Sequence, residues 1–454
     1  MEIKQLAAAQ RAYFESGKTL PVPARVAALE KLRLGIRRYE AKIAAALKAD
    51  LNKAPMESYM TEIGMVLDEV GCLIKMTPKW ARERRVPTPL AQFRSVSFVH
   101  PEPYGSVLVM APWNYPFMLA LEPAAGAIAA GNCVIIKPSA YAAETSRVIG
   151  ELIGELFDPG FAAVVQGGRA ENAALLNEKF DYIFFTGGTE VGRLVLEKAA
   201  AHFTPVTLEM GGKSPCIVDK TADIRLCARR LAFGKFLNAG QTCVAPDYVL
   251  VHRDRKRALV SELQKSVTSF FGPRPLDCED YPKIINEKHY KRLLGLMEGE
   301  QILIGGGAGN GRIAPTVLDG VTGDSPVMQE EIFGPILPLL EFGALDEAIA
   351  FIKARSKPLA LYLFTRDRTV ERKVLDGVSF GGGCVNDCVV HLATHHMPFG
   401  GVGSSGMGSY HGRASFETFS HSKSILKKAC WLDLPMRYHP YTEGKYRLVR
   451  KFLR

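Results

Sequence analysis

No stretch of eighteen or more apolar residues occurs anywhere in the 454-residue chain, so the sequence offers nothing that spans a membrane. The opening segment, MEIKQLAAAQRAYFESGK, lacks the continuous apolar centre of a secretory signal. Nine cysteines, an odd number without a dense pattern, make no disulfide framework and fit reduced thiols, so the expected compartment is the cytoplasm. Zinc spacing is missing too. Cys384 and Cys388, four apart in CVNDCVV, read as two half-buried thiols on a strand, and no metal is expected. Internal repeats, low-complexity tracts and nucleic-acid motifs are absent. The net charge of +10 is scattered, with one concentration from Lys423 onward. It reads first as a solvated basic surface, and second as attraction for anionic substrates, cofactors or a membrane surface.

What is present is a soluble-type composition, 47% hydrophobic and 23% charged, in a chain too long for one ordinary core. Val26, Leu29, Leu32, Ile36, Tyr39, Ile43 and Leu47 recur at threes and fours, which predicts a long amphipathic helix over 25–51. MESYMTEIGMVLDEVGCLIKM continues helical, and the two prolines of RVPTPLAQ break the pattern. Short apolar runs (SVLVMAP, NCVIIKPS, AAVVQGG, YIFFTGG) then alternate with helix-like stretches. Strands buried on both faces and joined by crossover helices mean a parallel, doubly wound α/β sheet, a Rossmann-like domain. A second α/β rhythm follows LEMGGKSPCIVDK, and the glycine- and serine-rich segment 398–422 reads as a return excursion.

Five places carry chemistry. Cys243 lies in NAGQTCVAPD, a polar loop between a helical and a strand-like run, where a ligand can reach it. Glu209, among Leu208, Met210 and two glycines, sits at the seam of the two α/β regions; a semi-apolar cleft would raise its pKa towards that of a useful general base. Asn114, at a strand end in MAPWNYPF, either staples two loops or supplies an oxyanion donor. In YIFFTGGTEVGRLVLEK a strand ends at Phe185, Gly187 and Gly188 turn the chain, and Thr189 is placed to cap a helix opening at Glu190, a start that suits a phosphate. Lys137 ends another strand, facing a ribose hydroxyl, a phosphate or solvent, with Ser139 placed to cap the next helix. GVGSSG at 401–406 matches the dinucleotide string but follows no strand, so it reads as a flexible loop.

The chain resembles the aldehyde dehydrogenases. The resemblance runs from about residue 100 to 422 through APWNYP, KPS, LEMGGKSP, NAGQTC, QEEIFGP and MPFGGVGSSGMGSYHGRASFETFSHSKS. The last string, with a short N-terminus, is similar to the class 3 branch, whose members are typically dimers acting on aromatic or medium- to long-chain aliphatic aldehydes. The resemblance implies Cys243 as nucleophile, Glu209 as base and Asn114 with the Cys243 N–H as oxyanion donors. It implies NAD or NADP held by Trp113, Lys137, the turn Gly187, Gly188, Thr189, Val191 and Gly192, and by Glu331 and Phe333. Two departures stand out. Ala140 replaces a ribose-binding carboxylate, which predicts use of both NAD and NADP. Gly188 replaces a serine and brings no hydroxyl to the phosphate.

The expected reaction is oxidation of an aldehyde to its acid through a Cys243 thiohemiacetal and a thioester, hydrolysed with Glu209 as base. The alternative is a CoA-acylating enzyme of the same fold, against which Glu209 argues. A cysteine-protease pairing with His391, His395 or His396 has nothing to orient it. The expected division is a dinucleotide-binding domain over 1–82 and 99–208 and a catalytic domain over 209–397. A bridging, oligomerisation element spans 83–98 and 398–425, followed by a basic tail over 426–454. A homodimer is expected, with no nucleic acid and no integral membrane segment.

Overall fold

The computed structural model describes residues 2–453. Helix Ile3–Glu15 is followed by Val22–Leu51, which carries a proline in its first turn, where a backbone donor is dispensable. Leu29, Leu32, Ile36, Ile43 and Leu47 have no exposed surface, so the three-and-four spacing becomes the buried face of that helix. The helix stops at a left-handed Asn52, whose N–H returns to the Lys48 carbonyl. Residues 55–80 stay helical as Pro55–Ser58, a wider turn at Tyr59–Ile63, and Gly64–Trp80.

Strands β1 (Arg84–Val86) and β2 (Ser95–Pro103) precede β3 (Ser106–Met110), β4 (Cys133–Lys137), β5 (Ala162–Val164), β6 (Tyr182–Thr186) and β7 (Val206–Glu209). The next are β8 (Pro215–Val218), β9 (Tyr248–His252) and β10 (Gln301–Ile304), with the short pair β11 (Ala308–Gly309) and β12 (Arg312–Ile313). Then come β13 (Thr316–Asp319), β14 (Ile336–Phe342), β15 (Ala360–Phe364), β16 (Gly382–Val385), β17 (Gly406–Met407) and β18 (Ser420–Lys428).

The first large sheet has the order β17-β7-β6-β3-β4-β5, parallel except for β17. The chain runs from β3 outward through β4 to β5, then returns to run out the other side through β6 to β7. That reversal between β3 and β6 is where an open α/β sheet leaves a crevice beyond its strand ends. Residues Met110–Asn114, Lys137, Thr186–Gly188 and Glu209 all lie at these C-terminal ends. Helix Met118–Ala130 is buried along its whole length, which explains why its sequence shows apolar residues all round. It ends at Gly131, whose φ of 101° favours glycine.

The second sheet, β10-β13-β14-β9-β8-β15-β16, is parallel except at β10. Both sheets are the doubly wound α/β kind that the alternating runs predict. A third, antiparallel sheet, β1-β2-β18, joins distant parts of the chain, with β18 paired to β2 from Ser420↔Pro103 to Lys428↔Ser95.

Four local expectations fail, the last of them in part. Thr189 is not the cap: the helix runs Thr189–Ala200 and its N-cap is Gly188, in an extended conformation. Ser139 accepts from the Tyr141 N–H instead of capping, because the chain stays irregular until helix Ala143–Leu156. That helix is capped from far away, the Asp50 carboxylate accepting from the Glu144 and Thr145 N–H groups. The segment 401–406 is no loose loop. Gly403 bridges Gly406, and Gly406 and Met407 pair with Glu209 and Leu208 of β7. A Cβ on Gly401 would lie 2.2 Å from the Ser405 carbonyl oxygen, and one on Gly406 2.4 Å from that of Leu208, so the glycines serve close backbone approach. Of the two thiols in CVNDCVV, Cys384 is half-buried within β16, while Cys388 lies beyond its end and is fully buried.

Candidate active site

Helix Ile224–Phe236 delivers the chain into a tight reversal in which Asn238 and Ala239 both take φ near +50°. Two consecutive left-handed non-glycine residues are costly and persist only where the surroundings hold them. Here they are held. The Asn238 N–H donates to the Glu57 carboxylate at 2.9 Å, and its side-chain amide donates to the carbonyls of Asn114 and Gln241 at 2.8 and 3.2 Å. The Gln241 side chain donates to the Asn238 and Lys283 carbonyls and accepts from the Ile285 N–H. The Tyr115 and Thr242 hydroxyls meet at 2.6 Å. Cys243 therefore follows directly on a pinned segment.

Asn114 is buried, and its Nδ2 donates to the Gln241 carbonyl at 3.1 Å. The staple reading of this residue is thus real, and the amide's second N–H remains for a further acceptor. Its backbone carbonyl accepts from Lys53 as well as Asn238, and Lys53 is locked to Glu62 at 2.5 Å with both side chains fully buried. The second Glu62 oxygen accepts from the Phe117 and Met118 N–H groups, and the Lys53 ammonium sits 3.9 Å from the centre of the Tyr115 ring. Losing one partner of such a buried pair generally costs about 3–5 kcal/mol, because the other charge is stranded. Sequence reading missed this pair; lysine and glutamate nine residues apart carry no signal of their own.

Cys243 keeps part of its surface open to a cavity of about 140 Å³. Its wall is apolar, built by Tyr115, Met118, Phe233, Leu237, Phe399 and Tyr410. Burial pushes the Cys243 thiol up to about 12, and the carboxylates of Glu331 and Glu209 add to the rise. The backbone N–H groups of Cys243 and Val244 work the other way, favouring the thiolate. Burial also holds the Glu209 carboxyl well above its ordinary range. Both Glu209 oxygens and the Thr186 hydroxyl, neighbours in register on β7 and β6, are buried and without a hydrogen-bond partner among the described residues. Such atoms are free to meet water or a ligand.

Glu331 lies under Gly211, where a Cβ would come within 2.1 Å of its carboxylate. Burial, with a contribution from Asp247, pushes it up to about 8. Phe333 is left-handed, with φ 49°, and its ring meets Trp113 edge-on at 5.3 Å. The segment carrying both is pinned by groups not singled out from sequence: Lys213 pairs with Asp247 at 2.5 Å and donates to the Val327 and Glu330 carbonyls, while Asp247 accepts from the Ile332 N–H.

At the phosphate-like turn, a Cβ on Gly188 would meet nothing within 4 Å, and Thr189 and Val191 lie exposed while Gly192 packs inward against Met210. The N–H groups of the first helical turn therefore face open space, as an anion requires. Lys137 is buried, donating to the Pro138 and Gly167 carbonyls at 2.9 and 2.7 Å. It is set apart from the nucleophile loop, on the β4 side of the crevice. Of the histidines weighed for Cys243, His391 lies 3.7 Å from Cys384 and His395 pairs with Asp68 at 2.9 Å.

Residues 1–425 match the aldehyde dehydrogenase family, and a match over that much of the chain shows the relationship. The chain belongs to the aldehyde dehydrogenase family. It is 48% identical over 448 residues to the 4,4'-diaponeurosporen-aldehyde dehydrogenase of Staphylococcus aureus, covering 98% of this chain and 97% of that one. It is 45% identical to the dimeric NADP-preferring aldehyde dehydrogenase of Canis lupus familiaris, over 97% of this chain and 98% of the relative. A solved structure, the substrate-bound state of Staphylococcus aureus AldH, superposes with a TM-score of 0.98 at 47% identity, covering 100% of both chains. The enzyme is thus an NAD(P)-dependent aldehyde dehydrogenase that oxidises aldehydes.

Proposed function

We propose that this aldehyde dehydrogenase oxidises apolar aldehydes, aromatic or medium- to long-chain aliphatic, with Cys243 as nucleophile, Glu209 as base and Asn114 as oxyanion donor. The observation that carries the reading is the mostly apolar cavity at Cys243, which offers an aldehyde's tail burial. In the thiolate form, the Cys243 sulfur attacks the carbonyl carbon, and the remaining Asn114 N–H together with the Cys243 N–H holds the oxygen as it gains charge. NAD(P), when bound, supplies the hydride acceptor that converts the thiohemiacetal to a thioester. Glu209 then takes a proton from water as its oxygen attacks the thioester, freeing the acid and the thiol. A carboxyl group whose pKa is raised by burial is the better base for that step.

The residues present fit the dinucleotide. The open helix start at Gly187, Gly188, Thr189 and Gly192 would hold its phosphates, with Val191 beside the adenine and Lys137 near the adenosine ribose. Glu331, Phe333 and Trp113 would hold the nicotinamide end. Ala140 is exposed and offers no carboxylate to the ribose, and Glu144, the nearest acid that would replace it, is engaged with Arg147 at 3.0 Å. Ala140 itself brings no charge against a 2′-phosphate, and on that ground NADP is used at least comparably to NAD. A panel of aromatic and aliphatic aldehydes measured with both cofactors checks this. A preference for NAD above about tenfold, about 1.4 kcal/mol, contradicts dual use, and Ala140→Glu should weaken NADP use far more than NAD use. Equal kcat/KM for short polar and long apolar aldehydes contradicts the substrate reading.

The same proposal makes the protein a homodimer. β18 ends the three-stranded sheet and β16 ends the second sheet, so each is an edge that can take a further strand. A second copy would satisfy both kinds at once, and a relative at 45% identity is named dimeric. Light scattering should give twice the chain mass of 49.8 kDa; a monomer at micromolar concentration contradicts it.

A further inference from the structure

Oxidation of an aldehyde by NAD(P) and water yields a carboxylate, reduced cofactor and two protons. Both protons are set free beside Cys243, one from the thiol and one from the water that Glu209 deprotonates. Burial makes a lingering charge there costly. An apolar tail in the cavity and a dinucleotide in the crevice would close the two open approaches, so the protons need a way out through the protein.

Two buried groups that the reaction steps do not use stand behind that cavity. Glu122, on the buried helix Met118–Ala130, is 1% exposed, and its Oε2 has no hydrogen-bond partner among the described residues. The Nε2 of His411 lies 3.6 Å away, buried and likewise without a partner. His411 takes φ 83°, a left-handed backbone that a non-glycine residue keeps only where it is held. Its N–H donates to the Ser415 hydroxyl at 2.8 Å, and the Gly412 N–H donates to both Glu69 oxygens at 2.8 and 3.0 Å. The ring also belongs to the reaction cavity, whose wall His411 and Leu392 share with Cys243. The Leu392 carbonyl favours the charged ring, and with Nε2 unpartnered it acts at Nδ1.

Behind Glu122 the groups continue outward. Burial first, then the charges of Glu69 and Asp68 on the neighbouring helix Gly64–Trp80, hold the Glu122 carboxyl well above its ordinary range, so it rests as the acid. Burial first and His391 next push His411 down to about 4, so the ring rests neutral. The Tyr410 phenol beside them is held up by burial first and Glu122 next. Glu69 in turn feels the charge of His395, which lies 2.9 Å from Asp68. Asp68 and His395 line an open cleft of about 1010 Å³ whose walls do not include Cys243.

We infer that His411 and Glu122 form a proton exit, leading from the Cys243 cavity by way of Glu69 and His395 to this outer cleft. His411 takes a proton from cavity water at Nδ1, beside the Leu392 carbonyl, and releases the one on Nε2 to a Glu122 oxygen. The Glu122 acid gives its own proton to Glu69, and His395 with Asp68 passes it to solvent. Each transfer moves one proton and no electrons. The 3.6 Å gap closes by side-chain motion or is bridged by one water. The inference rests on the hydrolytic reading of the reaction, which supplies the two protons.

The test is steady-state oxidation by the full chain in weak buffer near neutral pH, with and without added imidazole as a small proton carrier. Glu122→Gln is close in size and still donates to His411, but an amide does not pass a proton on. Its kcat should fall about tenfold with KM unchanged, and imidazole should restore it to within about twofold of wild type while leaving wild type unaffected. His411→Asn, which suits a left-handed backbone, should behave in the same way. Asp68→Asn alters an exposed side chain on which folding does not depend, and should cost about threefold, again recovered by imidazole. A wild-type kcat for Glu122→Gln in weak buffer, a loss that imidazole does not restore, or an unaffected Asp68→Asn overturns the proposal. The hydrolytic reading fails separately: a pH indicator would then record one proton, not two, for each reduced cofactor made by wild type.

Discussion

Glu209→Gln, mixed with excess aldehyde and NAD(P), is expected to give one fast burst of reduced cofactor per active site and then turn over about 10²–10⁴-fold more slowly than wild type. The amide is close in size to the carboxylate, so the pairing of β7 with β17 at this position is retained. What is lost is the proton acceptor for the attacking water. The acyl group therefore waits on Cys243, and steady-state turnover reports its unassisted hydrolysis. Cys243→Ala removes the burst along with turnover, since no sulfur is left to attack. A glutamine variant that turned over at the wild-type rate would show that another group activates the water.

The second large effect is a pH dependence. In the cofactor-free enzyme the Cys243 thiol is pushed up to about 12, by burial first and by Glu331 and Glu209 next. Only the thiolate reacts with iodoacetamide, and below the pKa its fraction rises tenfold per pH unit. Alkylation of the Cys243 peptide should therefore accelerate about 100-fold from pH 7 to pH 9 without a plateau. Cys430 is exposed on the tail, so the modification must be followed peptide by peptide. Glu331, pushed up to about 8, ionises within this window and adds repulsion as it does so. Glu331→Gln should thus alkylate faster than wild type at pH 9. A plateau below pH 8 would mean that Cys243 is already activated without cofactor.

The same raised carboxyl has a consequence for stability. Its folded pKa lies above the unfolded value, so the protonated, buried form is favoured at low pH. The contribution is fully present below the ordinary glutamate range and is lost as pH rises through about 8.

What sequence reading singled out was local. Cys243, Glu209 and Asn114 each sit in a short string whose own neighbours, glycines, prolines or a strand end, announce a special position. The alternating strands and helices were legible for the same reason, since periods of two and 3.6 are written in adjacent residues. What it missed is held by contacts across long gaps. Asp50 caps a helix that begins at residue 143, Lys53 and Glu62 carry the Asn114 loop, and Asp247 with Lys213 fixes the segment leading to Glu331 and Phe333. The glycines at 401–406 looked permissive because flexibility and close approach use the same residue. Only the β7 backbone beside them distinguishes the two. Ser139 and Thr189 show the converse error: a hydroxyl near a helix start resembles a cap, but the true start depends on where the extended chain ends.

The account rests on a carbon–sulfur bond at one residue, and that bond is measurable. The Glu209→Gln enzyme, given aldehyde and NAD(P), acid-quenched within the burst and digested, should show the mass of the acyl group on the peptide carrying Cys243, with the other eight cysteines unmodified. An acyl group on a different cysteine, or a completed burst with no acylated peptide, would contradict it.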